Sequence, residues 1–434
     1  MYGLRCPLTN GSIVAVCHRK FRCFLAGKGV FCGGNSRVGT WCVWGCFGQS
    51  KEGSLRSLIE CMIARSAPGF SSHILAGALR GARLSVRYIG SKSRLVDAII
   101  AVVGKPGRRS GMFVDAFCGT GVVAEAAARV GWAIRLNDHL ASAVTMAHAR
   151  LVSRHDAIFQ ALGGYQNVIN RLNAAKPVCG FIWREYSPAS QKHAGVARMY
   201  FTETNAARID GVRQTIAMWR RDNAISLIEE RLLIADLLLA TNRVANIAGT
   251  YGCFLSHWST QSQEKLTLRL RDLFPRRVDV EASISDVSKV DVAPADLVYL
   301  DPPYTKRQYA AYYHILETIT EGDEPTVGGI TGLRPWQEKA SDFCYRTRAL
   351  DALVQVVKRQ DARRVLLSYS NEGHIALKPL SNALSKLGEF KVVPLKEVGR
   401  YRPNRAASDA SSAVKEYLLV VDRPDQPLRQ VMFA

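Results

Sequence analysis

The stretch Leu297-Val298-Tyr299-Leu300-Asp301-Pro302-Pro303-Tyr304 carries the densest chemistry in the 434-residue chain. An apolar run delivers an acid, two prolines and an aromatic to what reads as the carboxyl end of a strand. The prolines restrict the backbone and remove two N–H donors, so nearby carbonyls can face a ligand without competition. A carboxylate and a carbonyl are both acceptors, suited to an –NH2 group with its two donors. An adjacent tyrosine ring can stack on a planar base. Asp301, Pro302, Pro303 and Tyr304 therefore suggest a pocket for the exocyclic amine of a nucleobase. The plainer reading of the same residues is a proline-stiffened turn with a capping Asp.

A second signal is Asp115-Ala116-Phe117-Cys118-Gly119-Thr120-Gly121. Gly119 and Gly121 allow close backbone approach, and the helix that follows offers free N–H groups. The full Gly-x-Gly-x-x-Gly is absent and no Lys-Ser/Thr pair follows, which argues against a phosphate loop. Asp138 lies 17 residues after Gly121, where a ribose diol could donate to it. The plainer reading makes Asp115 a helix cap and Asp138 a loop acid.

These residues need elements to present them. Residues 111–117 and 133–136 read as strands flanking an Ala-rich helix, Val122–Val130. Further strands are expected near 277–284, 296–300, 364–369 and 414–421. Between about 150 and 280 the pattern is mainly helical, with apolar spacing in Leu227, Ile228, Leu232, Leu233, Leu237 and Leu238. Aromatics in this stretch, Tyr186, Tyr200, Trp219 and Tyr251 among them, read first as core packing. The fold class expected is α/β, a doubly wound sheet interrupted by a helical insertion. Residues 87–150 and 277–434 form the sheet domain, and 151–276 the insertion.

Composition bounds the partners. The chain has 58 Lys+Arg against 37 Asp+Glu, a net charge of +21, which favours a polyanion. The first 86 residues hold 11 basic and two acidic residues and seven of the eleven cysteines. No Cys-x-x-Cys pair occurs there, so a zinc ribbon is not indicated, and no metal is expected. That extension is expected to be non-catalytic, and its deletion to leave activity in place. A basic, acid-poor leader fits an organellar transit peptide, a misassigned start or a family-specific extension. With no run of 18 apolar residues there is no spanning helix, and a cytoplasmic location is expected.

The combination resembles the D12 class of N6-adenine-specific DNA methyltransferases over about residues 87–421. The resemblance rests on Arg87-Tyr88-Ile89-Gly90-Ser91-Lys92, the Asp115–Gly121 turn, Asn137-Asp138 and Asp301-Pro302-Pro303-Tyr304. It also rests on Arg307-Gln308-Tyr309, Tyr312–Glu317 and Leu366–Gly373. The order of these blocks looks like the branch with its recognition region between the cofactor half and the catalytic loop. Thr305 departs from the pattern, since many relatives carry Asn there.

The resemblance implies a Rossmann-like methyltransferase sheet, S-adenosylmethionine as cofactor and duplex DNA with a flipped adenine as substrate. A cognate restriction endonuclease is an implied partner. Tyr88 and Lys92 would lie near the methionine part of the cofactor, the Lys92 ammonium offsetting its carboxylate. Asp115, Phe117, Gly119 and Gly121 would approach the same end. Asp138 would accept from the ribose hydroxyls and Asp286 from the cofactor's adenine amine. Asp301 and the Pro302 carbonyl would hold the target N6, with Tyr304 stacked on the base. No histidine base is required, so His314 is expected to be structural. Rival readings are an RNA base-amine or protein glutamine methyltransferase, and a catalytically silent DNA-binding protein on the same scaffold.

Overall fold

The computed structural model describes residues 89–395 and 414–423. The basic extension and Tyr88 lie outside the described residues, as do the expectations attached to them. Seven strands form one sheet: β1 Phe113–Asp115, β2 Ile134–Asp138, β3 Val280–Ile284, β4 Leu297–Leu300, β5 Arg364–Ser370, β6 Glu389–Pro394 and β7 Glu416–Asp422. Their spatial order is β3-β2-β1-β4-β5-β7-β6. β1 to β5 are parallel, and β7 runs antiparallel to both neighbours. This is an α/β sheet of the expected Rossmann-like kind. β1, β4 and most of β5 are buried and apolar, as strands covered on both faces must be.

Nine helices of eight or more residues are described: α1 Val96–Val103, α2 Val122–Arg129, α3 Ala141–Ala149, α4 Tyr165–Asn173, α5 Glu203–Arg221, α6 Leu227–Val244, α7 His314–Glu321, α8 Ala349–Arg359 and α9 Leu377–Leu384. One sheet face packs on α1 and α2 through Ile99, Ala124, Ala127, Phe113 and Leu136. The other packs on α8 and α9 through Leu353, Val357, Leu380, Val298 and Leu367. β6 had no counterpart among the expected strands. Its exposed edge carries alternating polar residues and ends on Pro394, a pattern that edge strands share with loops.

The stretch 151–276, expected as a helical insertion, holds α4, α5 and α6. α6 opens on a capping box, Ser226 with Glu229, which satisfies two otherwise orphaned N–H groups. The entry and exit of the insertion meet in a bridge between Ser153 and Phe274. The Phe274 N–H donates to the Val152 carbonyl at 2.8 Å. Its core is nevertheless continuous with the rest, because Met146 and Ala149 of α3 and Ile315, Leu316 and Ile319 of α7 belong to the same apolar cluster. Tyr186, Tyr200, Tyr251 and Trp219 are buried in it, whereas Leu227 and Ile228 of the expected apolar stripe are exposed. Among the described residues, no helix is long and apolar enough to cross a membrane.

Candidate active site

The strand order reverses between β1 and β4, and such a switch point opens a crevice at the carboxyl ends of the strands. The register pairs Asp115 with Tyr299, so Asp115 ends β1 beside the strand that delivers Asp301. Two motifs almost 190 residues apart thereby share one cleft of about 590 Å³, within the usual range for small-ligand sites. Lys92, Asp115, Phe117, Gly119, Asp138, Asp286, Asp301, Pro302, Pro303 and Tyr304 all line it.

Asn137 ties the strand ends together. Its amide donates to the carbonyls of Ala116 and Ser285 at 3.2 and 3.1 Å, and its oxygen accepts from Ser283 and Ser285. Asp138, next in the chain, accepts from the Gly119 N–H at 3.0 Å and the Leu140 N–H at 3.1 Å. Burial raises its carboxyl to about 6 in spite of those bonds. Each oxygen keeps a lone pair for a further donor. Asp286 caps the short turn Val287–Lys289 through Ser288 and stays exposed at the rim.

Gly121 is the exception among the expected cofactor residues, for it does not line the cleft. It has φ +74°, and a Cβ there would lie 2.5 Å from the Ala147 Cα. Its work is to let α2 start against α3. Gly121→Val adds left-handed strain to a clash with backbone, each costing ~1–3 kcal/mol. Urea denaturation should therefore show a loss of roughly 2–6 kcal/mol, and an unchanged midpoint would refute this role.

Asp115 is 2 % exposed, and its Oδ1 has no hydrogen-bond partner among the described residues. Burial, then the charges of Asp301 and Asp138, hold its carboxyl well above the ordinary range. Burial also pushes up the thiol of Cys118 in the same turn, so it packs as a neutral side chain. Phe117 sits edge-on to Phe343, ring centres 5.5 Å apart.

Lys92 is buried at 5 % exposure, with its ammonium 2.9 Å from Asp301 Oδ1 and 3.8 Å from Glu416 Oε2. Burial alone would lower its pKa, yet the anions around it, Asp301 first, carry it well above the usual lysine value. Burial also raises Asp301, while Lys92 pulls it back. The Tyr304 hydroxyl accepts from Lys92 at 3.4 Å and donates to Glu416 Oε1 at 3.2 Å. Glu416 escapes a reading built on strand carboxyl ends. β7 is antiparallel, so its first residue, paired with Ser370, arrives where the other strands finish. Segment 340–343 also lines the cleft, tied to Gln308 through the Ser341 backbone at 2.9 and 3.1 Å.

His314 does not line the cleft. It is buried among Tyr186 and Tyr200 with Nε2 3.1 Å from the Tyr251 carbonyl, and burial lowers it to about 4. That is a structural histidine. Among the described residues, no group of His, Cys, Asp and Glu is placed to hold a metal.

Sheet order and a switch-point cleft lined by strand-end acids define an α/β protein of the Rossmann-like class. The family model for D12 class N6 adenine-specific DNA methyltransferases matches residues 88–379, and the chain belongs to that family. It is 30 % identical over 345 residues to the type II methyltransferase M.FokI of Planomicrobium okeanokoites, covering 78 % of this chain and 53 % of that protein. It is 29 % identical over 345 residues to the modification methylase StsI of Streptococcus sanguinis, covering 78 % and 52 %. With the type II methyltransferase M.NlaIII of Neisseria lactamica it shares 27 % identity over 351 residues, 78 % of this chain and 99 % of that protein. The chain thus spans about half the length of the first two.

Proposed function

We propose that the chain is a site-specific DNA methyltransferase that moves a methyl group from S-adenosylmethionine to adenine N6 in duplex DNA. It would act in modification, alone or beside a cognate restriction endonuclease. The observation that carries this reading is the meeting of Asp115 and Asp301 in one cleft, an acid for each of two ligands. The fit to the cofactor rests on charge. Asp115, Asp138 and Asp301 face the cleft with Lys92 as a buried cation, and among the described residues Asp115 keeps an orphaned oxygen. Such an excess of buried carboxylate favours a cationic ligand.

When bound, S-adenosylmethionine supplies a methyl group on a positively charged sulfur. Asp115 and the backbone from Phe117 to Gly119 would face its methionine end, with Tyr88 and Lys92 nearby. Asp138 would accept from the ribose and Asp286 from the adenine amine. Asp301 and the Pro302 carbonyl would accept both hydrogens of the target amine. Two acceptors favour a pyramidal nitrogen and localise its lone pair, and Asp301 stabilises the charge that develops there. Alignment supplies much of the remainder. The base must first leave the stack, at a cost of a few kcal/mol. Segment 151–276 would supply recognition of the DNA site.

Methyl-tritiated cofactor should label adenine-containing duplex DNA, with the label in N6-methyladenine after hydrolysis. Label appearing only in RNA or protein would refute the DNA assignment and favour the rival acceptors. An intact Asp301–Tyr304 set without any labelled product would favour the silent DNA-binding reading.

A further inference from the structure

Two carboxylates compete for one ammonium at the reacting end of the cleft. Lys92 sits on Asp301 at 2.9 Å, while Glu416 Oε2 waits at 3.8 Å, roughly 1 Å short of a charge-assisted hydrogen bond. Glu416 is 8 % exposed, and its Oε2 makes no hydrogen bond among the described residues. Its other oxygen is held by the Tyr304 hydroxyl, which aims the side chain at the same spot. A lysine stem is flexible enough to cover the difference without moving the backbone.

The arrangement has a chemical consequence. An ammonium held on Asp301 cancels the charge that this acid must offer to an amine turning cationic. It would also repel that amine directly, a term magnified away from bulk water. The free site is therefore stable but poorly disposed to react. We propose that Glu416 is a positioning residue that receives the Lys92 ammonium when the target amine takes Asp301. This rests on the function proposed above. The transfer breaks one ion pair and forms another, with no proton or covalent bond changing hands. Lys92 keeps a buried counterion throughout, and Asp301 regains its full charge for the reaction.

Glu416→Gln tests this cleanly, because glutamine is nearly isosteric and its oxygen can still accept from Tyr304. With the full chain, adenine-containing duplex and S-adenosylmethionine, kcat should fall about tenfold or more, the effect of one persisting charge contact. KM for DNA, cofactor affinity by calorimetry and melting temperature should stay close to the parent values. Glu416→Asp should restore part of the rate. In a Lys92→Met background the Glu416→Gln change should cost nothing further, since coupled residues are non-additive. An unchanged kcat, or full additivity with Lys92→Met, overturns the proposal. So does loss of cofactor binding in both Glu416 variants, which would make the residue structural. Absence of turnover by the parent protein would instead count against the function itself.

Discussion

Replacing Asp301 by Ala should lower the rate of methyl transfer on the order of 10³-fold, the scale of losing a preorganised group at a developing charge. Cofactor binding should largely survive, because Asp115, Asp138 and Asp286 keep their positions. Stability should fall as well, for a reason separate from chemistry. Lys92 loses its 2.9 Å partner and keeps the Tyr304 hydroxyl at 3.4 Å and Glu416 at 3.8 Å. Removing one member of a buried pair costs roughly 3–5 kcal/mol, and the lower end applies because Asp301 keeps 17 % exposure and Glu416 remains. Asp301→Asn separates the two effects. It keeps the shape and one acceptor but loses the charge, so it should melt nearer the parent while transferring methyl almost as poorly as Asp301→Ala. Single-turnover kinetics with excess enzyme, beside thermal melts, reads both. An Asp301→Asn variant within about tenfold of the parent rate, ~1.4 kcal/mol, would remove Asp301 from the chemistry.

The candidate acids were legible in the sequence because strand ends are punctuated. Apolar runs closed by Asp115, Asp138 or Asp301 mark both an element and the end that lines the cleft. Pairing was less legible. Nothing local says that β4 lies beside β1, or that Lys92 reaches across 209 positions to Asp301. Glu416 was missed for a related reason, since only the antiparallel direction of β7 makes its first residue a cleft residue. Segment 340–343 carries no motif and reaches the cleft through backbone bonds to Gln308. The glycines divide in an instructive way. The same turn chemistry suggested both Gly119 and Gly121 as cofactor contacts, yet only Gly119 faces the cleft, while Gly121 answers to the close approach of Ala147. The core of the stretch 151–276 runs on into α3 and α7. Periodicity locates helices without saying which of them share a core.

Asp115→Asn should weaken cofactor binding while stabilising the free protein. The two effects have one cause. A buried carboxyl with an unpartnered oxygen and acidic neighbours is held well above its ordinary pKa, so the folded free state binds a proton that the unfolded chain gives up more readily. Stability contributed this way falls as pH rises, the reverse of a salt-bridged acid. Asp138 behaves alike, raised from 3.8 to about 6, so its part of the loss falls between those values. Asparagine at 115 removes that residue's share, and the free variant should melt higher than the parent near neutral pH. A cationic ligand reverses the balance by favouring the ionised carboxyl. Binding should then release protons, detected by calorimetry in buffers of different ionisation enthalpy, and affinity should climb as pH rises through about 6. Asp115→Asn should lose part of the proton release and about tenfold or more in affinity, ~1.4 kcal/mol or above for one charge term. A variant that binds S-adenosylmethionine as tightly as the parent, with the same proton release, would show that the buried acid serves the fold alone.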